Sequence, residues 1–399
     1  MSLHPKAQVP RVGDPGRGWV PAWGVAIAIL AAFAIYSAAS VTHGFIAYYA
    51  ATRLLIDGAL GPNAYDDAWF GAYLQQLTGT AIREIFTPNP PTMSLMALPI
   101  AAFDHRTARA IWLSVSVALF VTAVYALARD REQREGSVPL PQLLLAMLAP
   151  AVFTNLRLGQ GYLIVFALFA FAVLWLAERR DGRGGAALGL VLGLKLSGTA
   201  LLVMLAVQRR WRALAVAGAV AVALALVVTP FIDAAMWWQH PDVVRGFVQR
   251  PSGSVTAYQT TLSLFRRLCV ADPVWNPTPA ASCEPIAFAV PYTLLAIALV
   301  ITIVVVSRSQ DPRVAAIAGT VLSLLALPAS AEVHFVLLGI PLVLIALRPW
   351  ELAIIAALLI VPLEITAERF TTGWGVILAY PRLYGAWLVW AASLRRATS

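Results

Sequence analysis

Six polar side chains fall in one stretch between two apolar segments: His43, Asp57, Asp66, Asp67, Arg83 and Glu84, followed by Pro88-Asn89-Pro90-Pro91. Adjacent carboxylates such as Asp66 and Asp67 can act as a general base. A helix beginning there would favour their ionised forms at its N-terminus. An N-cap role accounts for one aspartate but not for two. Glu84 is either a second acid or an ion-pair partner of Arg83. His43 titrates near neutrality, so it is a further acid–base candidate. Further along, Lys195 is one of only two lysines in a chain of 27 arginines, and it lies inside an apolar run. A cation there marks either a functional site or a side chain snorkelling to the interface. As a compact point charge it suits a phosphate. Glu332 and His334 share a short turn, and Arg382 follows Pro381 in the last apolar segment. Polar chemistry at the rim of an apolar bundle points to an enzyme or carrier working on a lipid-borne substrate.

The elements that must position these groups are membrane helices. The 399 residues are 60% hydrophobic and 12% charged, half the charge of about 25% in soluble domains. Trp19–Ser40 runs without a formal charge, and spanning a bilayer takes roughly 20 such residues. Twelve candidate spans follow from such runs: Trp19–Ser40, Asn89–Phe103, Thr107–Ala128, Leu140–Phe153, Gly161–Ala177, Ala186–Val207, Ala213–Ile232, Ile286–Ser307, Val314–Pro328, Val333–Ala346, Leu352–Leu363 and Trp374–Leu394. The first reads as an uncleaved anchor, being longer than a signal h-region.

The net charge of +9 is carried by short basic clusters between spans, so no nucleic acid is implied. Arg179-Arg180-Arg183, Arg209-Arg210-Arg212, Arg308-Arg313 and Arg395-Arg396 fit the positive-inside rule, as do Lys6, Arg11 and Arg17. Both termini are therefore expected in the cytoplasm, with 1–18 and 395–399 as tails on a single membrane domain, 19–394. Parity leaves a conflict. One span at Ala186–Val207 puts the 179–183 cluster outside; two half-helices there put it inside, and Asn89–Phe103 must then be re-entrant. Two long outer loops are expected, 41–89 and 233–285. The first should hold a surface helix from Phe45 to Leu55, closed by Asp57-Gly58. A second amphipathic helix follows at Asp66–Leu77, with Trp69, Phe70, Tyr73 and Leu74 on one side. Cys269 and Cys283 share the second loop, where they are either a disulfide or two unrelated thiols.

Taken in order, several weak motifs resemble one family. They are Tyr48-Tyr49-Ala50-Ala51 with Leu54-Leu55-Ile56-Asp57-Gly58, then Asn89-Pro90-Pro91-Thr92, then Leu158-Gly159-Gln160. Ala187-Leu188-Gly189-Leu190, Gly193-Leu194-Lys195, Arg209-Arg210-Trp211-Arg212 and the turn from Pro328 to His334 follow. Gln259-Thr260-Thr261-Leu262 with Arg266-Arg267-Leu268 is similar to a polar loop ahead of a late span. The set resembles the polyprenol-phosphate-sugar-dependent glycosyltransferases of family 87, which include mannosyltransferases of phosphatidylinositol mannoside synthesis. The resemblance implies an all-α, GT-C-like bundle of about 12 transmembrane helices in a bacterial plasma membrane. It implies hexosyl transfer, mannose first, from a polyprenyl phosphate to a glycolipid or cell-envelope glycan on the extracytoplasmic face.

Such a transfer needs a base for the acceptor hydroxyl and a cation for the leaving phosphate. The family places an acidic residue just after the first span, where this chain has His43-Gly44-Phe45. Either the base has moved to Asp66 or Asp67, or His43 substitutes, or the chain is an inactive relative. Lys195 and Arg382 are the phosphate candidates, and Glu332 and His334 could complete an acid–base cluster. Asn89, Gln160, Tyr258 and Gln259 are candidate hydrogen-bonders to sugar or phosphate, although capping and turn formation are commoner roles. No metal or other cofactor is expected: the five histidines show no paired spacing, and no nucleotide-binding loop is present. A monomer is expected. A transporter of lipid-linked sugars is the other reading, since broken helices and intramembrane charge suit it too.

Overall fold

The computed structural model describes residues 20–40, 43–82, 84–137, 139–309 and 311–395. The N-terminal tail, Arg83 and Arg396 lie outside them. Helices account for nearly all regular structure in the described residues. The first, α1 (Val20–Ala38), is apolar and uncharged throughout. Next, α2 (Phe45–Ile56) starts after Gly44 and ends where Gly58 turns left-handed. The expectation of a surface helix needs correction here. All of α2 but Arg53 and Ile56 is buried, because its apolar residues surround the axis instead of forming one stripe. By contrast, α3 (Asp67–Thr78) is amphipathic and buries Phe70 and Leu74.

Asn89–Phe103 does not form a spanning α-helix. Pro91 and Pro99 each withhold a backbone donor, and the segment folds as 3-10 turns, Pro91–Leu95 and Leu98–Ile100. It is followed by α4 (His105–Glu135), capped by Asp104 and closed by left-handed Gly136. At 31 residues it is about 46 Å long. A break at Ala149-Pro150 separates α5 (Leu140–Leu148) from α6 (Pro150–Leu158). Then come α7 (Tyr162–Ala177), α8 (Asp181–Lys195), α9 (Thr199–Val207) and α10 (Trp211–Val228). The second outer loop carries α11 (Ala235–Gln249) and α12 (Thr261–Cys269). The chain ends with α13 (Glu284–Arg308), α14 (Pro312–Leu325), α15 (Gly339–Leu344), α16 (Pro349–Ile360), α17 (Leu363–Arg369) and α18 (Pro381–Arg395).

Five helical segments among the described residues are long and apolar enough to cross a bilayer. Counting α16 and α17, which meet at a 74° bend, as one span makes six. The other expected spans are shorter or broken, mostly at prolines and glycines. Broken helices survive in a membrane where neighbours satisfy their backbone groups. The outer faces of α10 and α13 expose Val222, Leu226, Ile297 and Val300, as lipid-facing helices do.

The path through α7–α10 sets the geometry of the site. Arg210 pairs with Asp181 and donates to the Leu176 carbonyl at 2.6 Å, so the turns 178–180 and 208–210 lie side by side. The chain from Asp181 to Val207 therefore returns to the end it left, and Lys195 stands at the tip of that excursion. There Leu196 and Gly198 adopt positive φ (49° and 93°), which splits Ala186–Val207 into two half-helices. A column of small residues holds α8 against α10. A Cβ on Gly185 or Gly189 would come within 2.4 or 2.6 Å of the Ala213 or Ala217 carbonyl. Arg313 pairs with Asp130 at 3.0 Å at the same end as those turns, away from Lys195.

Cys269, the last residue of α12, and Cys283, which precedes α13, are joined by a disulfide. Cys269→Ser with Cys283→Ser is expected to lower stability by about 3 kcal/mol, the loop-closure value for about 15 residues. Thermal unfolding in detergent, with and without reductant, measures it; a reductant-sensitive melting point in the native chain should vanish in the double variant.

Candidate active site

At the end of the bundle where α7 and α9 begin and α8 ends, a cavity of about 360 Å³ opens between the two outer loops. Its polar lining includes Glu84, Asn89, Gln160, Lys195, Tyr258 and His334. Its apolar wall comes from α11, through Val244, Phe247 and Val248, and from Leu327 and Pro328 on the opposite turn. His240 braces that wall: its Nε2–H donates to the Pro88 carbonyl at 3.1 Å, and its ring leans on Tyr65. Burial holds the His240 pKa below the ordinary imidazole range.

Lys195 forms the cationic floor. Nζ donates to Asn89 Oδ1 at 3.0 Å and lies 4.4 Å from the centre of the Tyr48 ring and 5.4 Å from that of Tyr162. Two aromatic faces steady the ammonium without neutralising it. Asn89 is itself fixed, its Nδ2 donating to the Phe86 carbonyl at 2.7 Å. The Tyr48 hydroxyl donates to Gln160 Oε1 at 2.6 Å, tying α2 to the turn after α6. His334 packs on Tyr162 with ring centres 4.2 Å apart. Its Nδ1 bonds the Ala331 carbonyl at 3.1 Å. A carbonyl only accepts, so Nδ1 carries the proton and Nε2 is left as the acceptor.

Among the described residues, the carboxylate that lines the cavity is Glu84. Its Oε2 accepts a short hydrogen bond from the Gly44 amide, and its Oε1 accepts from the Ile85 amide at 3.0 Å. His43 Nδ1 lies 3.9 Å from Oε2. An acid brought in from forty residues away thus lies against Gly44, where an acidic side chain was expected. Gly44 itself has no room for one. Its φ is +90°, and a Cβ would lie 2.5 Å from the Leu158 carbonyl oxygen and 2.9 Å from Gln160 Nε2.

The remaining candidates do not line this cavity. Asp66 is the N-cap of α3, accepting from the amides of Ala68 (2.8 Å) and Trp69 (3.0 Å). Asp67 is bound to Arg250 Nη1 at 2.8 Å and accepts from the Thr87 hydroxyl at 3.3 Å. Gln259 is buried, and its side-chain amide group bonds the carbonyls of Thr256 and Ala379 and the Arg382 amide. Glu332 and His334 point apart instead of converging. Glu332 accepts two bonds from Arg382, at 2.6 and 3.0 Å, beside a separate hollow lined by Phe33 and Phe153. Arg382 is buried there and also donates to the Leu358 carbonyl at 2.7 Å. Among the described residues, no three His, Cys, Asp or Glu side chains converge as a metal site. Sequence reasoning underrated Glu84. The available signal was an acid on the same loop as Gly44, where the resemblance implies an acidic residue.

The family model for glycosyltransferase family 87 matches residues 86–328. That stretch contains Asn89, Gln160, Lys195 and Tyr258 and stops short of Glu84 and His334. Two curated relatives are 31% identical over 151 residues, the alpha-(1->3)-arabinofuranosyltransferases of two Mycobacterium tuberculosis strains. The aligned part is 36% of this chain, and the chain spans about a third (34%) of the length of those relatives. No solved structure matches the chain. With more than half its length matched by the family model, this membrane protein belongs to glycosyltransferase family 87.

Proposed function

We propose that the chain transfers a glycosyl unit from a polyprenyl-phosphate donor to a hydroxyl of a glycolipid or cell-envelope glycan. The observation that carries this reading is the pairing of Glu84, held on the Gly44 amide, with Lys195 at the floor of one cavity. The acceptor O–H gives its proton to Glu84 while its oxygen bonds to the sugar C1. The C1–O bond to phosphate breaks with its electron pair on the phosphate oxygen, and the configuration inverts. Lys195 stabilises the charge that leaves. Asn89 takes one of the three ammonium donors and Met93 Sδ, at 3.8 Å, a second, leaving one for phosphate. The His334 Nε2 and Gln160 are placed to orient sugar hydroxyls. Val244, Phe247 and Val248 supply an apolar wall for the first isoprene units.

Mannose follows from the resemblance, whereas the relatives' name points to arabinofuranose; both are donors to test. In this reading the cavity faces the extracytoplasmic side of a plasma membrane with both termini inside; the arginine-bearing turns at the other end of the bundle support it, because they fit a cytoplasmic face. All the groups invoked come from one chain, so a monomer suffices.

The test is reconstitution in a bilayer with radiolabelled mannosyl- or arabinofuranosyl-phosphopolyprenol and an alkyl glycoside acceptor. Label should pass to the glycoside with release of polyprenyl phosphate, and a nucleotide-linked sugar should give none. Movement of intact lipid-linked sugar across the bilayer, with no bond cleaved, would overturn the reading in favour of transport.

A further inference from the structure

A second hollow, of about 460 Å³, lies on the other side of Glu84 from the Lys195 cavity. Its lining includes Asp67, Gly71 and Gln75 from one face of α3, and Ala81. Among the described residues, Glu84 and Ile85 alone line both hollows. Glu84 therefore stands between a cavity with a cationic floor and a groove along α3.

We infer that the α3 groove is the acceptor subsite and that it takes the end of a carbohydrate chain. The inference rests on the transfer reading above and names where the second substrate enters. Displacement at C1 requires the incoming oxygen to lie on the face opposite the departing phosphate. With phosphate on Lys195, that oxygen comes from the side of Glu84. The base must touch the acceptor hydroxyl, so the acceptor has to reach Glu84 from a space the donor does not fill. The groove meets both conditions. Its lining offers a polyol hydrogen-bonding groups, the Asp67 and Glu84 carboxylates and the exposed Gln75 amide, set among Ala68, Ala81, Ile82 and Ile85, and Gly71 leaves open space beside them. Asp67, clamped by Arg250 and Thr87, fixes the start of α3 against the cavity rim and so sets the width of the groove.

Gly71→Phe and Gln75→Trp fill the groove from an exposed helix face. Nothing lies within 4 Å of a Cβ at Gly71, and glycine in a helix interior is replaced without loss of helix propensity. Gln76→Trp, one position round the helix, is the control. The full chain in nanodiscs is assayed with the phosphopolyprenol donor that supports turnover and with octyl mannoside or octyl arabinofuranoside as the acceptor probe. Binding of polyprenyl phosphate is measured separately by tryptophan fluorescence. The expected result is an acceptor KM raised at least ten-fold in both groove variants, with donor KM and polyprenyl-phosphate binding within two-fold of the unmodified chain and Gln76→Trp unaffected. Unchanged acceptor KM in Gly71→Phe and Gln75→Trp would overturn the inference, as would a rise confined to donor KM. Failure of the transfer reading itself would look different, as no label reaching the glycoside in the unmodified chain.

Discussion

Glu84→Gln is expected to lower the rate of sugar transfer by about 10²- to 10⁴-fold, the range for removal of a general base. The amide keeps the shape of the side chain, and its one oxygen still accepts from the Gly44 or the Ile85 amide, though not from both. Folding should therefore survive, and polyprenyl-phosphate binding should stay near that of the unmodified chain. The comparison that gives this result meaning is with the two aspartates of the same loop. Asp67→Asn loses an ion pair more than a third exposed on both sides, a class worth about 0.2–1 kcal/mol. It should keep turnover within about ten-fold, far above the loss set by a missing base. Asp66→Ala removes a cap, costs about 1 kcal/mol of stability and leaves the chemistry in place. Turnover measured for the three variants under one set of conditions decides the matter. Should Asp67→Asn be the inactive one and Glu84→Gln the active one, the base is on α3 and the assignment fails.

The second large effect falls on Lys195. Lys195→Ala should cost about 10²- to 10³-fold in turnover, as loss of one pre-organised stabiliser of transition-state charge does. The loss belongs mainly in kcat, because phosphate gains charge as C1–O breaks and the ammonium matters most at that moment. Arginine should not restore activity. Its planar fork is larger than the ammonium and is a different donor geometry from the point charge held between Tyr48, Tyr162 and Asn89. Truncation also leaves Asn89 Oδ1 without its donor, a cost of about 1–3 kcal/mol that a thermal-shift measurement separates from the kinetic loss. Turnover within three-fold of the unmodified chain would remove Lys195 from the mechanism.

Much of the architecture was legible in the chain before folding. Charge-poor runs of about 20 residues are costly to expose to water and sufficient to cross a bilayer, so a helical membrane protein follows from composition. The break inside Ala186–Val207 was legible only as one side of a parity conflict. The contact between Arg210 and Asp181 resolves it, because two turns in contact share one end of the molecule. The all-round burial of α2 was missed because a run of apolar residues beside charged ones reads as a membrane-surface helix. Only neighbours on every side show that it is enclosed.

The site divides along the same line. Lys195 stood out by itself, since a cation in an apolar run must be paid for by some partner. The ordered motifs and the chemistry they imply were likewise carried by residue types along the chain. Which carboxylate lines the cavity was decided by the tertiary structure. Gly44 and Glu84 are forty residues apart and meet through one backbone amide whose accessibility depends on a left-handed φ. The divergence of Glu332 and His334, and the use of Asp66 as a cap, are equally matters of where a backbone turns. Spacing along a chain reports periodicity and composition. The convergence of side chains within 3 Å is set by packing, and no local pattern encodes it.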